Sequence, residues 1–531
     1  MHLVRVTAQQ ITCWPNLGYG RFGSPVIHTL SKPIATPFVA GRVSFADTDS
    51  TDAADLVYLH HDRVSVFSNI SGNGLFRLPD IPLPGTLAPD TQPIFADAFA
   101  TGKKAMVIAC IENGELAHWA CDFNNTTALA LLESVENGSG LMLRFGYQSS
   151  SNFYLADRAL DRNWLSYSPN PVAVVTKSET IDQIGNTSSV SEFSYHNAHY
   201  DRAEREFRGF SYVETTHGAT SKLSDGKAKA GRDGLIPTKQ SLTRQWYHTG
   251  ASPHGRGFSD HYRKSKDGKK AADADPYFQY NEPTEPNFHL GDSQPALYPA
   301  AGADVNTCKV EAYRALYGKL IRQEVYDATD WQATTSKKPA VPFAVLEENF
   351  ALHCHQPADG LYAAAVSVSM RENVSYHIER KSDDPRIEHT LITETNTFGH
   401  PTRAAHIYYP RQSKTKPSDP SQYETRILGS YSAFLKIADD VDLWLGGLES
   451  EDRLYEIKPP VENLGALFDF KIIAGLLNKM GAKNPSTTKS CRLLTWDRHY
   501  YLALSGNSDA VNSDDLAPQG LPTESWSAVF P

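Results

Sequence analysis

A threefold repeat constrains this chain more than any other feature of its sequence. Leu3-Val4 leads through Val6 to Ile11, Cys13, Trp14 and Asn16. Leu56-Val57 leads through Leu59 to Val64, Val66, Phe67 and Asn69 at the same spacing. Met106-Val107 leads through Ile108 to Leu116, His118 and Trp119, which reads as two inserted residues. Phe45-Ala46-Asp47 and Phe95-Ala96-Asp97 precede the second and third copies. A period of about fifty residues made of short alternating apolar runs is the mark of a repeated β-sheet array, as in propeller blades. In the second copy, His60-His61-Asp62-Arg63 separates two alternating runs and predicts a hairpin. Glycines after the equivalent strands, in 16–22 and 69–76, allow a tight exit with positive φ.

The rest of the chain is also β-patterned. Runs at 141–147, 171–175 and 206–213 alternate as strands do. Further strands are predicted at 242–248, 319–326, 342–354, 363–379, 387–395, 402–409 and 424–437. The best helix candidates are Glu311–Tyr317 and Asn463–Met480, the latter with Leu464, Leu467, Phe468, Ile472, Leu476 and Leu477 at helical spacing. Residues 216–240 and 251–306 are poor in branched apolar side chains and read as long loops. The expected fold is mainly β with few helices.

Composition narrows the functional classes. A net charge of -10 argues against nucleic-acid binding. No apolar run reaches the roughly 18 residues of a membrane span, so no membrane segment is expected. The start, Met1-His2-Leu3-Val4-Arg5-Val6-Thr7, shows no charged region followed by an apolar one, so no signal peptide is visible. Six cysteines are thinly spread without a C-x-x-C pair, which points to free structural thiols.

The sharpest chemical motif is the loop Asp47-Thr48-Asp49-Ser50-Thr51-Asp52-Ala53-Ala54-Asp55. Side-chain oxygens of Asp47, Asp49, Thr51 and Asp55, with the Ala53 carbonyl, suit a hard cation such as Ca²⁺. Thr51 replaces a carboxylate, and Asp52 stands where glycine normally makes the sharp turn. The matching loop of the third copy, 97–105, has one acid and two lysines, so a purely structural corner is the competing reading. His353 and His355 fall on one face of a predicted strand, but no further pair completes a zinc site. His196, His199 and Asp201 lie close together, which a polar hairpin turn also explains. Nucleophile elbows, phosphate-binding loops and dinucleotide fingerprints are absent. No catalytic or cofactor-binding residue is assigned.

Residues 195–216, Tyr-His-Asn-Ala-His-Tyr-Asp-Arg-Ala-Glu-Arg-Glu-Phe-Arg-Gly-Phe-Ser-Tyr-Val-Glu-Thr-Thr, resemble the central region of the B component of bacterial insecticidal toxin complexes, the TcdB/SpvB-like family. Collinear stretches agree: 14–23, 45–59, 69–74, 153–157, 243–250, 313–316 with 322–326, 375–380 with 384–387, and 492–494. The stretch 427–470 matches poorly. The resemblance implies an FG-GAP/VCBS-like partial β-propeller over 1–125, a middle region leading into a shell over 126–240, and the N-terminal part of an Rhs/YD-type β shell over 241–531. It implies a chain cut at both ends, beginning within a blade and stopping early in the shell.

The function so implied is a non-enzymatic scaffold that encapsulates a toxic effector and helps translocate it, in an incomplete or remnant form. A pore-forming A component is the expected partner on the propeller side and a C component on the shell side. The expected location is extracellular, or cytoplasmic before release. Two other readings stand beside it: a free-standing ligand-binding module, Ca²⁺-dependent through the acidic loop, and a cryptic hydrolase near His196–Asp201.

Overall fold

In a computed structural model, the described residues are 2–30, 32–49, 51, 53–88, 91–99, 101, 103–112, 115–123, 131–160, 162, 164, 171–185, 187–220, 240–251, 290, 296–298, 302–332, 340–381, 384–396, 398–411, 419–435, 447–460, 466–478, 480, 490–503 and 518–529. They form two compact units. One is built mainly from Met1–Leu160 and Tyr167–Ser194, the other mainly from Tyr195–Ala219 and Leu235–Pro531.

In the first unit each repeat copy is a small antiparallel sheet around a hairpin. Leu3–Val6 pairs with Gln10–Trp14, Asp55–Leu59 with Arg63–Asn69, and Ala105–Glu112 with Glu115–Cys121. The phrase Phe-Ala-Asp supplies the next strand outward, since Phe45 pairs with Leu56 and Phe95 with Met106. The sheet of the second copy has two apolar faces, and each stacks on a neighbouring copy. Ile11 of the first copy packs with Leu56, Tyr58 and Phe67 of the second. Val57, Leu59, Val64 and Val66 on the opposite face pack with Met106 and Ile108 of the third. Burial on both faces explains why the strands of the second copy are so uniformly apolar. Gly18, Gly20 and Gly72 have φ of +84°, +73° and +81°, as the strand exits require.

The third copy corrects the insertion. Leu56 pairs with Phe67, whereas Met106 pairs with Cys121, so four residues are inserted rather than two. The hairpin lengthens by three pairs and closes at Glu112 and Glu115. The unit continues with the antiparallel strands Ser134–Glu136, Leu141–Ser149, Ala173–Asp182 and the start of Thr187–Asp201. A helix not foreseen from the sequence, Ser150–Ala159, is capped by Ser149 Oγ accepting from the Ser151 amide at 3.3 Å.

The second unit is an up-and-down antiparallel meander. Ser241–Tyr247, Leu320–Asp327, Ala344–Gln356, Ala365–His377, Arg386–Thr395, Pro401–Tyr408, Arg426–Phe434, Glu449–Ile457, Cys491–Ala503 and Pro518–Val529 pair in sequence order. Every strand predicted in 242–437 is present, shifted by one to three residues. The helix predicted over Asn463–Met480 is Phe470–Leu477, capped by Asp469, whose Oδ1 accepts from Lys471 N at 2.8 Å. Residues 461–465 lie outside the described set. Ile473 and Leu477 on this helix cover one face of the meander, against Val374, Ile407, Ile427, Tyr455 and Ile457. Gly429 lets the helix approach, because a Cβ there would meet Ile457, Leu477 and Met480 at 2.7–2.9 Å.

Three further readings change. Residues 216–220 belong to strand Glu206–Thr220 and 296–298 to a short strand parallel to Ala344–Gln356, not to loops. Residues 221–239, 252–289 and 291–295 lie outside the described set. His196 and His199 lie in strand Thr187–Asp201, with the turn following Asp201. Cys308 and Cys354 are joined in a disulfide with Cα atoms 6.2 Å apart, so those two are not free thiols.

Candidate functional site

The acidic loop closes a corner between strands Val43–Ala46 and Asp55–Leu59. Ligand oxygens of Asp47, Asp49 and Asp55 lie within 4.8 Å of one another. Asp55 is buried and already committed to the loop. Its Oδ2 accepts from the Thr48 amide at 2.9 Å and from Thr48 Oγ1, and its Oδ1 accepts from the Asn69 amide at 2.8 Å. Asp49 Oδ2 accepts from Ser68 Oγ at 3.1 Å. Thr51 donates its hydroxyl to Asp49 Oδ1 at 2.7 Å and its amide to Asp47 Oδ1 at 3.1 Å. Thr51, the predicted fourth donor, is thereby tied to two of the carboxylates by hydrogen bonds. Asp52 lies outside the described residues. The three carboxylates fit the donor set of a hard cation, with Asp55 the most engaged in folding contacts.

The third copy solves the same corner without that cluster. Asp97 Oδ1 accepts from the Thr101 amide at 2.8 Å, as Asp47 does from Thr51. Asp97 Oδ2 accepts from Ser149 Oγ at 3.0 Å. Lys103, nearly buried, reaches Asp122 at 3.3 Å. Since Cys121 answers to Phe67, Asp122 stands where Ser68 stands in the second copy. There the corner's positive charge comes from the protein.

The histidine candidates are absorbed into packing. His196 stacks on Tyr212 at 5.0 Å. Burial lowers the His199 pKa, with Arg208 adding to the effect. Burial alone would raise the Asp201 carboxyl, but the amides of Glu204 and Ala203 and the guanidiniums of Arg314 and Arg208 hold it below its usual range. His353 stacks on Tyr298 at 5.0 Å, and His355 Nε2 lies 2.7 Å from Ser367 Oγ. Among the described residues, the acidic corner is the one grouping with metal-ligand proximity.

The sequence reading missed a buried charged seam that crosses five strands of the second unit. Arg244 donates from Nε to Tyr212 Oη at 2.7 Å and from Nη1 to Glu324 Oε2 at 3.3 Å. Glu324 also accepts from Arg322 Nε at 2.8 Å and Tyr326 Oη at 2.7 Å. Arg322 continues the line by pairing with Glu347, which accepts from Tyr376 Oη at 3.3 Å. The Arg244 guanidinium faces the rings of Tyr212, Trp246 and Trp331 at 4.5–5.3 Å. Burial opposes its charge, but Tyr212, Glu324, Tyr326 and Glu214 more than offset this and raise its pKa. Its signal was the alternation in Arg244-Gln245-Trp246 and Arg322-Gln323-Glu324, which places charge on a face flanked by aromatics. Arg244, Arg322, Glu324 and Glu347 are all buried.

Comparison with known proteins places these elements. The family described as insecticide toxin TcdB middle/N-terminal region matches residues 77–249, and the TcdB middle/C-terminal region matches residues 311–433. The chain carries a TcdB-like B-component middle region. It is similar over 100% of its length to a chain in the crystal structure of TcdB2-TccC3-Cdc42, at 26% identity and a TM-score of 0.74. It is similar over the same share to one in the Photorhabdus luminescens Tc holotoxin pore, at 25% identity and 0.73. TcdB2-TccC3 without the hypervariable C-terminal region gives 26% and 0.73. The chain spans about a quarter, 24%, of each of those chains. No curated protein sequence matches it. The TcdB-like regions take in the third repeat copy, the Asp201 turn and most of the charged seam.

Proposed function

We propose that this chain is a non-enzymatic scaffold segment of a toxin-complex B component, which with a C component encloses a toxic effector and helps translocate it. The observation that carries this reading is the likeness along the whole chain to TcdB2 in TcdB2-TccC3 assemblies. The meander supports it physically. Ten strands paired in sequence order, stiffened by a buried ionic seam, make a continuous wall rather than a substrate cleft. The histidines and acids considered for catalysis are engaged in stacking, ion pairs and turns. In this reading the C component joins the meander, a pore-forming A component meets the repeat copies, and the assembly acts outside the producing cell. The experiment is co-expression with a C component, followed by protease challenge of the cargo. Cargo protected only when this chain is present supports the scaffold. Cargo digested equally with and without it overturns the reading.

A second reading concerns Ca²⁺ at the acidic corner, favoured by the close approach of the Asp47, Asp49 and Asp55 oxygens. The lysine that serves the third copy has no counterpart in the loop 47–55. Bound there, the ion would cross-link the loop to its strand. Thermal melting with Ca²⁺ and with a chelator tests it, with Asp49→Ala as control. An unchanged melting temperature removes the metal from the account.

A further inference from the structure

The disulfide between Cys308 and Cys354 joins a small appendage to the meander of the second unit. The appendage is the 3₁₀ turn Val305–Thr307 followed by helix Lys309–Ala315. We propose that this bond is a redox latch, holding residues 304–318 on the sheet under oxidising conditions and releasing them to thiol reductants.

Apart from the disulfide, the appendage is held by a short helix, a small apolar patch and partly solvated ion pairs. A helix of seven residues is far below the roughly 12 to 15 at which isolated helices become even marginal. Its apolar contacts are Ala312 and Leu316 against Phe350 and Leu352, with the half-buried Tyr313, Leu297, Val366 and Val368 packed around them. Its polar anchor is Arg314, bound to Asp201 at 3.3 Å and Glu204 at 2.9 Å, with a partly exposed side chain. Such partly solvated pairs contribute little. The covalent link fixes the helix start to the strand that carries Phe350 and Leu352.

What the latch covers is specific. Gly318 donates its amide to the His248 carbonyl, and the His248 amide donates to the Lys319 carbonyl, both at 2.9 Å. Gly250, at φ +77°, lies against the Arg314 backbone, where a Cβ would come within 3.3 Å. Release of 304–318 therefore uncovers His248, the end of strand Ser241–Tyr247 and the Phe350 face.

The chemistry is thiol–disulfide exchange with a small-molecule disulfide such as oxidised glutathione. One thiolate attacks it, forming a mixed disulfide and expelling one reduced glutathione. The second thiolate then attacks the mixed disulfide, closing Cys308–Cys354 and expelling another. Two protein thiols are oxidised and one glutathione disulfide is reduced; a dithiol reductant runs the exchange backwards. Both sulfurs belong to buried residues, so exchange passes through a locally opened appendage. The reduction rate should therefore level off as reductant is raised, at the rate of opening.

The test is peptide mapping of the full chain equilibrated with oxidised glutathione or with dithiothreitol, paired with amide hydrogen exchange. Under oxidation the peptides bearing Cys308 and Cys354 should appear cross-linked. After reduction, exchange over 309–318 should rise about tenfold or more while Arg386–Thr395 stays protected. The double variant Cys308→Ser, Cys354→Ser should behave as the reduced protein in either buffer. No linked peptide after oxidation overturns the proposal. So does unchanged exchange over 309–318 in the reduced protein or the variant, and so does equal loss of protection at Arg386–Thr395, which would make the bond a staple of the whole sheet.

Discussion

Arg244 and Glu324 face each other across paired strands, 1% and 0% exposed, with Arg244 Nη1 donating to Glu324 Oε2 at 3.3 Å. Removing Arg244 leaves the buried Glu324 with one guanidinium fewer, held by Arg322 and Tyr326. Arg244→Met should destabilise the chain by about 3–5 kcal/mol, read as a lowered urea midpoint. Adding Glu324→Leu should not restore the loss, because it also takes their acceptor from the buried Arg322 and Tyr326. A single variant within ~1 kcal/mol of the parent would show the seam to be energetically idle.

Asp55 staples the acidic corner whether or not an ion is bound. Asp55→Ala leaves the Thr48 and Asn69 amides without their acceptor. It should cost roughly 2–4 kcal/mol in calcium-free buffer, whereas Asp49→Ala should cost about 1 kcal/mol or less there. Equal effects of the two in chelator would contradict this division between folding and ligand roles.

His248 sets an acid sensitivity. Burial lowers its pKa to about 4, from the ordinary imidazole value of 6.5. A neutral imidazole is favoured in the fold, so the unfolded chain takes up a proton first as pH falls. Stability from this group is complete above pH ~6.5 and declines as pH drops to ~4, by about 3 kcal/mol in all. His248→Phe should flatten that part of the curve of urea midpoint against pH. A slope unchanged by the substitution would assign the acid sensitivity to other groups.

Gly429 is where helix Phe470–Leu477 meets its strand most closely. Gly429→Ala should push on Ile457, Leu477 and Met480 and cost about 1–3 kcal/mol, with faster exchange of the helix amides. A neutral effect would mean that the helix is free to shift.

The parts of this fold legible in the sequence are those where side-chain period and burial agree. The repeat reads clearly because its second copy is apolar on both faces, with Leu56, Tyr58 and Phe67 on one and Val57, Leu59, Val64 and Val66 on the other. The meander strands from Ser241 to Phe434 read clearly because they alternate. Glu449–Ile457 did not read as a strand, since Glu451, Asp452, Arg453 and Glu456 resemble solvated loop. Helix Ser150–Ala159 opens on Ser-Ser-Asn and buries Ser150 and Asp157, so no apolar stripe announces it. The disulfide was invisible because its cysteines are 46 residues apart and carry no spacing pattern. The seam was hidden for a different reason. Arginine and glutamate alternating along a strand look like an exposed face until a neighbouring strand supplies the opposite charge. At the acidic corner the clustering of Asp47, Asp49 and Asp55 was legible, but not the hydrogen bond from Thr51 to Asp49, which exists only in the folded loop.

The most direct test of the scaffold account is the mass of the species formed when this 58.7 kDa chain is mixed with a toxin-complex C component, measured by size-exclusion chromatography with light scattering. The account predicts a single peak at the summed mass of the two proteins. Two peaks at the separate masses, across a hundredfold range of concentration, would contradict it.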